Sequence, residues 1–205
     1  MLKTYHIQNI LEMGIDEAGR GPMFGRVYVG GVILPQEFNH PLIKDSKKLT
    51  PRKRLIAYDL VKENAIDYNV VYCTETEIDK MNIFRATHKA MHEVVQKSVV
   101  VPDHLLVDGP YFNTYIHANK LIPHTCIENG DNLYTPIAAA SILAKVTRDK
   151  YIEQMCKDYP ELIERYDLLN NKGYGTKKHM EGLRKNGITK WHRKTFGICK
   201  QLSII

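Results

Sequence analysis

Two short apolar runs in this chain each end on a carboxylate and then turn on glycine. Residues 13–16 (MGID) lead into Glu17, Ala18, Gly19, Arg20 and Gly21, and residues 104–108 (HLLVD) lead into Gly109 and Pro110. A continuous apolar run of this length, bounded by turn residues, reads as a strand covered on both faces. In open α/β sheets functional groups collect where strand C-termini meet loops. Two such strands laid parallel would bring Asp16, Glu17 and Asp108 to one place.

The remaining pattern alternates strands with helices. Residues 26–34 (RVYVGGVIL) are rich in β-branched side chains and halt at Pro35, which predicts a second strand. Thr50 followed by Pro51 predicts a capped helix running to about Asn64, because proline's missing N–H costs nothing at the first helical position. Residues 65–74 predict another strand, and Thr74 with Glu77 resembles a capping box. Ile83, Ala86 or Thr87, Ala90, Met91, Val94 and Val95 then fall on one face of a further helix. A final strand is expected over residues 121–127. Thr135-Pro136 repeats the cap-plus-proline signature before IAAASILAKV, whose small side chains let a helix lie close to a sheet. Beyond Pro160 the pattern is helical, with loop residues at 170–175 and a stop near Gly187.

At 205 residues the chain has the length of one domain. No repeat, low-complexity tract or Gly/Ser linker divides it, so a single domain is expected: an α/β core over about residues 12–155 and a basic helical portion over about 156–205. The first ten residues interleave polar side chains where a signal peptide needs an apolar stretch, and no run of ~18 apolar residues occurs, so a soluble, cytoplasmic protein with no membrane partner is expected. Cys73, Cys126, Cys156 and Cys199 include no C-x-x-C pair, so reduced structural thiols are expected. Ile204-Ile205 is too short for a binding peptide.

The formal charge of +6 is unevenly placed. Lys172, Lys177, Lys178, Arg184, Lys185, Lys190, Arg193 and Lys194 are accompanied by Glu181 alone, while the rest of the chain carries 21 cations and 22 acids. A basic segment on a nearly neutral body suits a polyanion, most often nucleic acid; the plainer reading is a solvated helical face.

Three carboxylates with no thiolate and no histidine partner make a hard oxygen site, which prefers Mg²⁺ or Mn²⁺ over zinc. Such clusters suit phosphodiester hydrolysis, one ion activating the attacking water and a second, ~3.5–4 Å away, stabilising the leaving oxygen. Asp131, just ahead of the small-residue helix, is the candidate fourth acid. Taken singly, each strand-end acid reads first as a turn or cap carboxylate. The whole string GIDEAGRGP (residues 14–22) reads differently, since glycines on both sides of an arginine serve a backbone that approaches a ligand closely. Gly19 and Gly21 can present amides there while Arg20 meets a phosphate.

GIDEAGRGP, then DSKKL at residues 45–49, LVDG at 106–109, IAAASILAKVTRD at 137–149 and GYGT at 173–176 occur in the order seen in ribonuclease HII, and the chain resembles that family over about residues 12–196. The resemblance implies a ribonuclease H-like mixed sheet of about five strands flanked by helices, with a helical C-terminal portion. It implies an endonuclease that cuts the RNA strand of RNA–DNA hybrids and cuts beside single ribonucleotides in duplex DNA, leaving a 3′-hydroxyl and a 5′-phosphate. Mapped residue by residue, it implies metal-binding acids at Asp16, Glu17, Asp108 and Asp131. Gly19, Arg20 and Gly21 correspond to the segment that senses the ribose 2′-hydroxyl, and Tyr174 to a tyrosine stacking on the following deoxyribose. Lys47 is read as a phosphate contact. The expected cofactor is Mn²⁺ or Mg²⁺, the partners are RNA–DNA hybrid and ribonucleotide-containing duplex, and a monomer is expected.

The chain departs from the family pattern in two places. Asn129-Gly130-Asp131-Asn132-Leu133-Tyr134 replaces a Lys-Gly-Asp-x-Lys-Ser string, losing two lysines but keeping Asp131, and residues 191–196 (WHRKTF) keep only the outline of a His-Arg-x-Ser-Phe ending. Before the resemblance is considered, Tyr174 serves equally to stack on a sugar or to pack its loop. Ser141 either reaches the metal loop or satisfies a helix carbonyl, Trp191 is expected as a packing anchor, and His179 and His192 as surface or structural histidines. Arg148, Asp149 and Lys150 are expected as a solvated cluster. The rival readings are an inactive hybrid-binding module and another ribonuclease H-fold nuclease, such as ribonuclease HIII or a junction resolvase. Ribonuclease HIII carries an extra N-terminal domain, for which the roughly 12 residues before Gly14 leave no room.

Overall fold

The computed structural model describes residues 1–203; Ile204 and Ile205 lie outside the described residues. Strands β1 (Glu12–Ala18), β2 (Val27–Ile33) and β3 (Asp67–Cys73) form an antiparallel meander, and β4 (His104–Asp108) and β7 (His124–Ile127) extend it in parallel on the other side of β1. The resulting five-stranded order is β3-β2-β1-β4-β7. The two runs that end on acids are therefore neighbouring parallel strands at the centre of a mixed sheet.

One face of the sheet is covered by α3 (Ile83–Gln96), whose Ala86, Ala90, Met91, Val94 and Val95 meet Met13, Ile15, Leu105 and Val107. The other face is covered by α4 (Thr135–Asp158) with α1 (Pro51–Asn64) beside it. The close approach of α4 needs glycine on the strands beneath. A Cβ at Gly14 would stand 2.1 Å from the Pro136 carbonyl carbon, and one at Gly30 would stand 2.5 Å from the Ala140 oxygen. Small residues on the helix and glycines on the sheet thus serve the same contact.

The C-terminal third is a group of short helices: α5 (Glu161–Tyr166), α6 (Leu168–Asn171), α7 (Lys177–Asn186) and α8 (Gly197–Leu202). They close over their own apolar cluster, in which Phe24 and Met23 from the β1–β2 turn pack with Tyr166, Leu168, Leu183 and Cys199. Cys73, Cys126, Cys156 and Cys199 are all free thiols. No helix among the described residues is long and apolar enough to cross a membrane.

Four expectations are corrected. The strand expected over residues 121–127 is two strands, since Pro123 has no N–H to donate to a ladder. Lys120–Ile122 (β6) pairs with Tyr115–His117 (β5) in a separate hairpin, and only β7 joins the main sheet. Residues 65–74 give up their ends, because the Ala65 N–H closes α1 onto Val61 and Thr74 caps α2 (Glu75–Met81). Thr135 is already helical and not a cap: its N–H donates to the Lys3 carbonyl at 2.8 Å, so the N-terminal segment supplies the acceptor. Finally, Arg148 is not solvated. It is one of the two largest fully buried side chains of the core, together with Arg193.

Candidate active site

The register of β1 on β4 sets Ile15 opposite Val107, so Asp16 and Asp108 occupy the next positions of adjacent strands. Along β1 the side chains alternate. Gly14 faces α4 and Ile15 packs on the α3 side, so Asp16 turns toward α4 and Glu17 to the opposite side of the sheet end. Asp16, Glu17, Gly19, Arg20, Gly21, Lys47, Asp108 and Tyr174 all line one cleft of about 430 Å³, together with Ser46, Ser141, Lys145 and Arg148. Of the expected metal-binding and substrate-binding residues, Asp131 alone does not line it. It is buried in a turn (Gly130–Asn132) behind Asp108, close enough for its charge to act on that carboxyl.

The acids repel one another in a partly dehydrated setting. Burial, then the charges of Glu17 and Asp108, push the Asp16 carboxyl well above the usual range, against hydrogen bonds from Ser141 and from the Glu17 N–H at 2.6 Å. Burial, then Asp131 and Glu17, lift Asp108 to about 6, opposed by the Gly130 N–H at 2.7 Å and by Lys47. Asp131 is raised as well, by burial and by Asp45. Among the described residues none of these three forms an ion pair, whereas Glu17 meets the Arg20 guanidinium at 3.3 Å. Uncompensated carboxylates of this kind call for an external cation.

The donor set suits a hard divalent ion: it is all oxygen, with the Ser141 hydroxyl behind Asp16 and the Ser46 hydroxyl 3.1 Å from that of Ser141. Among the described residues no three such acids already form a ligand set. Glu17 is engaged by Arg20, Asp108 by Gly130 and Asp131 by the Asn132 amide at 2.8 Å. Donor chemistry fits; the side chains have not converged.

The Gly-Arg-Gly turn is held from below. Gly19 has φ +95°, and a Cβ there would lie 2.2 Å from Arg148 Nε. Arg148 donates to the carbonyls of Phe24 at 3.2 Å and Lys172 at 2.9 Å, and its guanidinium lies 5.9 Å from the Tyr174 ring centre. Arg193 donates to the carbonyls of Gly19 at 2.6 Å, Arg20 at 2.9 Å and Gly25 at 2.8 Å. Burial, with Arg148 nearby, draws Arg193 down to about 9, which leaves it charged at neutral pH. Arg193, a cation of the basic segment, faces inward, and Lys172 is taken by Glu153 at 2.9 Å. Arg184, Lys185, Lys190 and Lys194 are exposed and form no ion pair among the described residues, and exposed Lys177 and Lys178 stand 4.0 Å from Glu181 and Asp167, so these six remain to meet a polyanion.

Sequence reasoning passed over Lys145, whose Nζ meets Asp149 at 2.7 Å on the cleft wall. The signal was present: Ser141, Lys145 and Arg148 stand at i, i+4 and i+7 on one helix face.

With this arrangement in view, the sequence matches the model of the ribonuclease HII family over residues 13–199. The chain belongs to the ribonuclease HII family. It is 43% identical over 198 residues to the ribonuclease HII of Phocaeicola vulgatus, an alignment covering 97% of this chain and 94% of that protein. Among solved structures, ribonuclease H2 from Pyrococcus horikoshii OT3 shares the fold with a TM-score of 0.77 at 24% identity, over 95% of this chain and 98% of that one. Bst ribonuclease HIII, solved in complex with Mn²⁺, shares it with a TM-score of 0.69 at 15% identity, over 95% and 70% of the two chains. The enzyme is thus a ribonuclease H of a family that depends on divalent metal.

Proposed function

We propose that this enzyme hydrolyses the RNA strand of RNA–DNA hybrids and cuts on the 5′ side of single ribonucleotides embedded in duplex DNA, leaving a 3′-hydroxyl and a 5′-phosphate. The observation that carries this reading is the parallel register of β1 on β4, which sets Asp16 beside Asp108 in the cleft that also holds the Gly-Arg-Gly turn and Tyr174.

Asp16, Glu17, Asp108 and Asp131 would hold Mg²⁺ or Mn²⁺, as Bst ribonuclease HIII holds Mn²⁺. A pair of such ions supplies an activated water and stabilisation of the leaving oxygen. The chain's own groups bind and orient. Arg20 and Lys47 take the phosphates on either side of the acids, and the backbone of Gly19 and Gly21 touches the ribose 2′-hydroxyl, the group that distinguishes the two sugars. Tyr174, 46% exposed and backed by Arg148, offers its ring to the next sugar. The cations of α7 position the duplex without reading bases. A monomer acting in the cytoplasm is the form proposed.

A DNA duplex with one ribonucleotide, incubated with purified protein and Mg²⁺ or Mn²⁺, tests this. Cleavage 5′ to the ribonucleotide that disappears in Asp108→Asn is the expected result. Intact substrate with wild type, or full activity in that variant, refutes it. Arg20→Ala should weaken ribonucleotide selection far more than Mn²⁺ affinity.

A further inference from the structure

Two buried histidines join the loop that carries Tyr174 to the segment that carries Arg193. The Thr189 N–H donates to His192 Nδ1 at 2.9 Å, so Nδ1 is an acceptor and the proton of neutral His192 lies on Nε2. His192 Nε2 is 3.1 Å from His179 Nε2. His179 must accept there, which puts its own proton on Nδ1, and Nδ1 is 2.9 Å from the Tyr174 carbonyl. The relay runs one way, from Thr189 through His192 and His179 to Tyr174, and closes only if both rings are neutral. Both are fully buried, and burial lowers both, His192 to about 3.

The residue after His192 is Arg193, which grips the carbonyls of Gly19 and Arg20. In a trans peptide the C=O and N–H point to opposite sides. Holding those two carbonyls from beneath therefore aims the amides of Arg20 and Gly21 the other way, away from Arg193. Tyr174 has a further tether of its own, because its carbonyl also accepts from Thr176, and the preceding Gly173 carbonyl accepts from the Met23 N–H at 2.9 Å. What the relay adds is a link from the Tyr174 peptide to the same short segment, residues 189–193, that orients the Gly-Arg-Gly turn.

We propose that His179 and His192 are positioning residues which, with Arg193, fix the distance between the ribose-reading turn and Tyr174, and so set the preference for a ribonucleotide followed by deoxyribose. The proposal rests on the function proposed above. A uniform hybrid offers ribose at every step and tolerates a displaced Tyr174; a single ribonucleotide in DNA offers one register only. Misplacement by about 1 Å can cost on the order of 10²-fold in rate.

The test compares kcat/KM on a DNA duplex bearing one ribonucleotide with that on a continuous RNA–DNA hybrid. His179→Leu should lower the first about 10- to 100-fold and the second less than about three-fold. His179→Asn, whose side-chain amide can still donate to the Tyr174 carbonyl, should recover most of the loss. If His179→Leu does not fold, His192→Gln, which keeps a donor near the Nε2 position, and His192→Leu form the same comparison. In wild type, ¹⁵N NMR at pH 7 should show His179 protonated on Nδ1 and bare on Nε2. Equal loss on both substrates, no loss on either, or His179 protonated on Nε2 overturns the proposal while leaving the proposed function standing. A wild-type enzyme that cuts neither substrate overturns both.

Discussion

Replacing Asp108 by asparagine isolates what it costs this fold to hold ionised acids at the end of its sheet. The Asp108 carboxyl is lifted from 3.8 to about 6, first by burial and then by Asp131 and Glu17. Between those two values the folded protein binds more protons than the unfolded chain, so stability falls as pH rises through that window and stays reduced above it. A shift of about two pH units corresponds to at most about 3 kcal/mol. Asp108 keeps part of its surface in water, and screening brings the figure to about 1–2 kcal/mol. Asp108→Asn retains an Oδ1 acceptor for the Gly130 N–H and removes the charge. With metal chelated at pH 7.5, the variant should therefore melt about 3–6 °C above wild type, and the gap should shrink to about a third by pH 4.5. Adding Mn²⁺ should raise the wild-type midpoint more than that of the variant, since on the function proposed the variant lacks one of the ligands. Differential scanning calorimetry at the two pH values decides it. A variant that melts at or below wild type in chelator at pH 7.5, or a gap that does not change with pH, refutes the reasoning.

Gly14→Ala should cost at least about 3 kcal/mol, because its Cβ would meet Pro136 backbone at 2.1 Å and neither partner is a flexible side chain; a melting point within about 2 °C of wild type contradicts this. The buried His192 ring, held down to about 3, is neutral in the folded state, while the unfolded ring gains its proton near 6.5. Its contribution is thus complete above about pH 6.5 and fades as pH falls toward 3, with about 3 kcal/mol gone by pH 4.5. Urea unfolding of wild type and His192→Gln at pH 7 and 4.5 should show the wild type losing more, and parallel losses would remove the histidine from the account. Replacing Lys177 and Lys178 by glutamine should lessen the slope of log affinity against log salt by about 2 for a hybrid duplex. An unchanged slope would place α7 off the nucleic acid.

The strands that carry the acids are legible in the sequence because a covered strand must be continuously apolar and a turn that approaches a ligand must be glycine-rich. MGIDEAGRG and HLLVDG satisfy both conditions within a few residues. Their parallel adjacency enters the sequence reading only as the condition under which the acids meet, and the pairing of β1 with β4 supplies it. Pro123 is an equally visible break in residues 121–127, and the strands on its two sides belong to different sheets. What stays hidden is the fate of polar side chains whose partners lie far away in the chain. Arg148 sits in a run with Asp149 and Lys150 that looks solvated, yet its hydrogen-bond acceptors are the carbonyls of Arg26, Phe24 and Lys172, between 24 and 124 positions distant. Backbone carbonyls carry no sequence signature, so a guanidinium buried against them reads as a surface charge. Arg193 is hidden for the same reason, its three carbonyl partners lying 168 to 174 positions away.

That hidden layer gives the site its polarity. Among the described residues Arg148 and Arg193 are buried without a carboxylate partner and direct their donors at six carbonyls, five of them on residues 19–26. Hydrogen bonds to charged donors are about twice as strong as neutral ones, which offsets much of the cost of burying these two cations, while Arg148 Nη1 finds no partner among the described residues. The Gly-Arg-Gly turn therefore stands on two cations on one side and meets Asp16, Glu17 and Asp108 on the other. On the function proposed, the polarised amides of the turn would face the phosphodiester and the acids would hold the divalent ions, which would separate the two charges of the reaction before the substrate binds. The same arrangement explains why the acids need no lysine or arginine of their own at Asp16 or Asp108. A direct ion pair there would relieve the repulsion that Asp108→Asn is expected to relieve, and would weaken the attraction for metal on which the proposed cleavage relies.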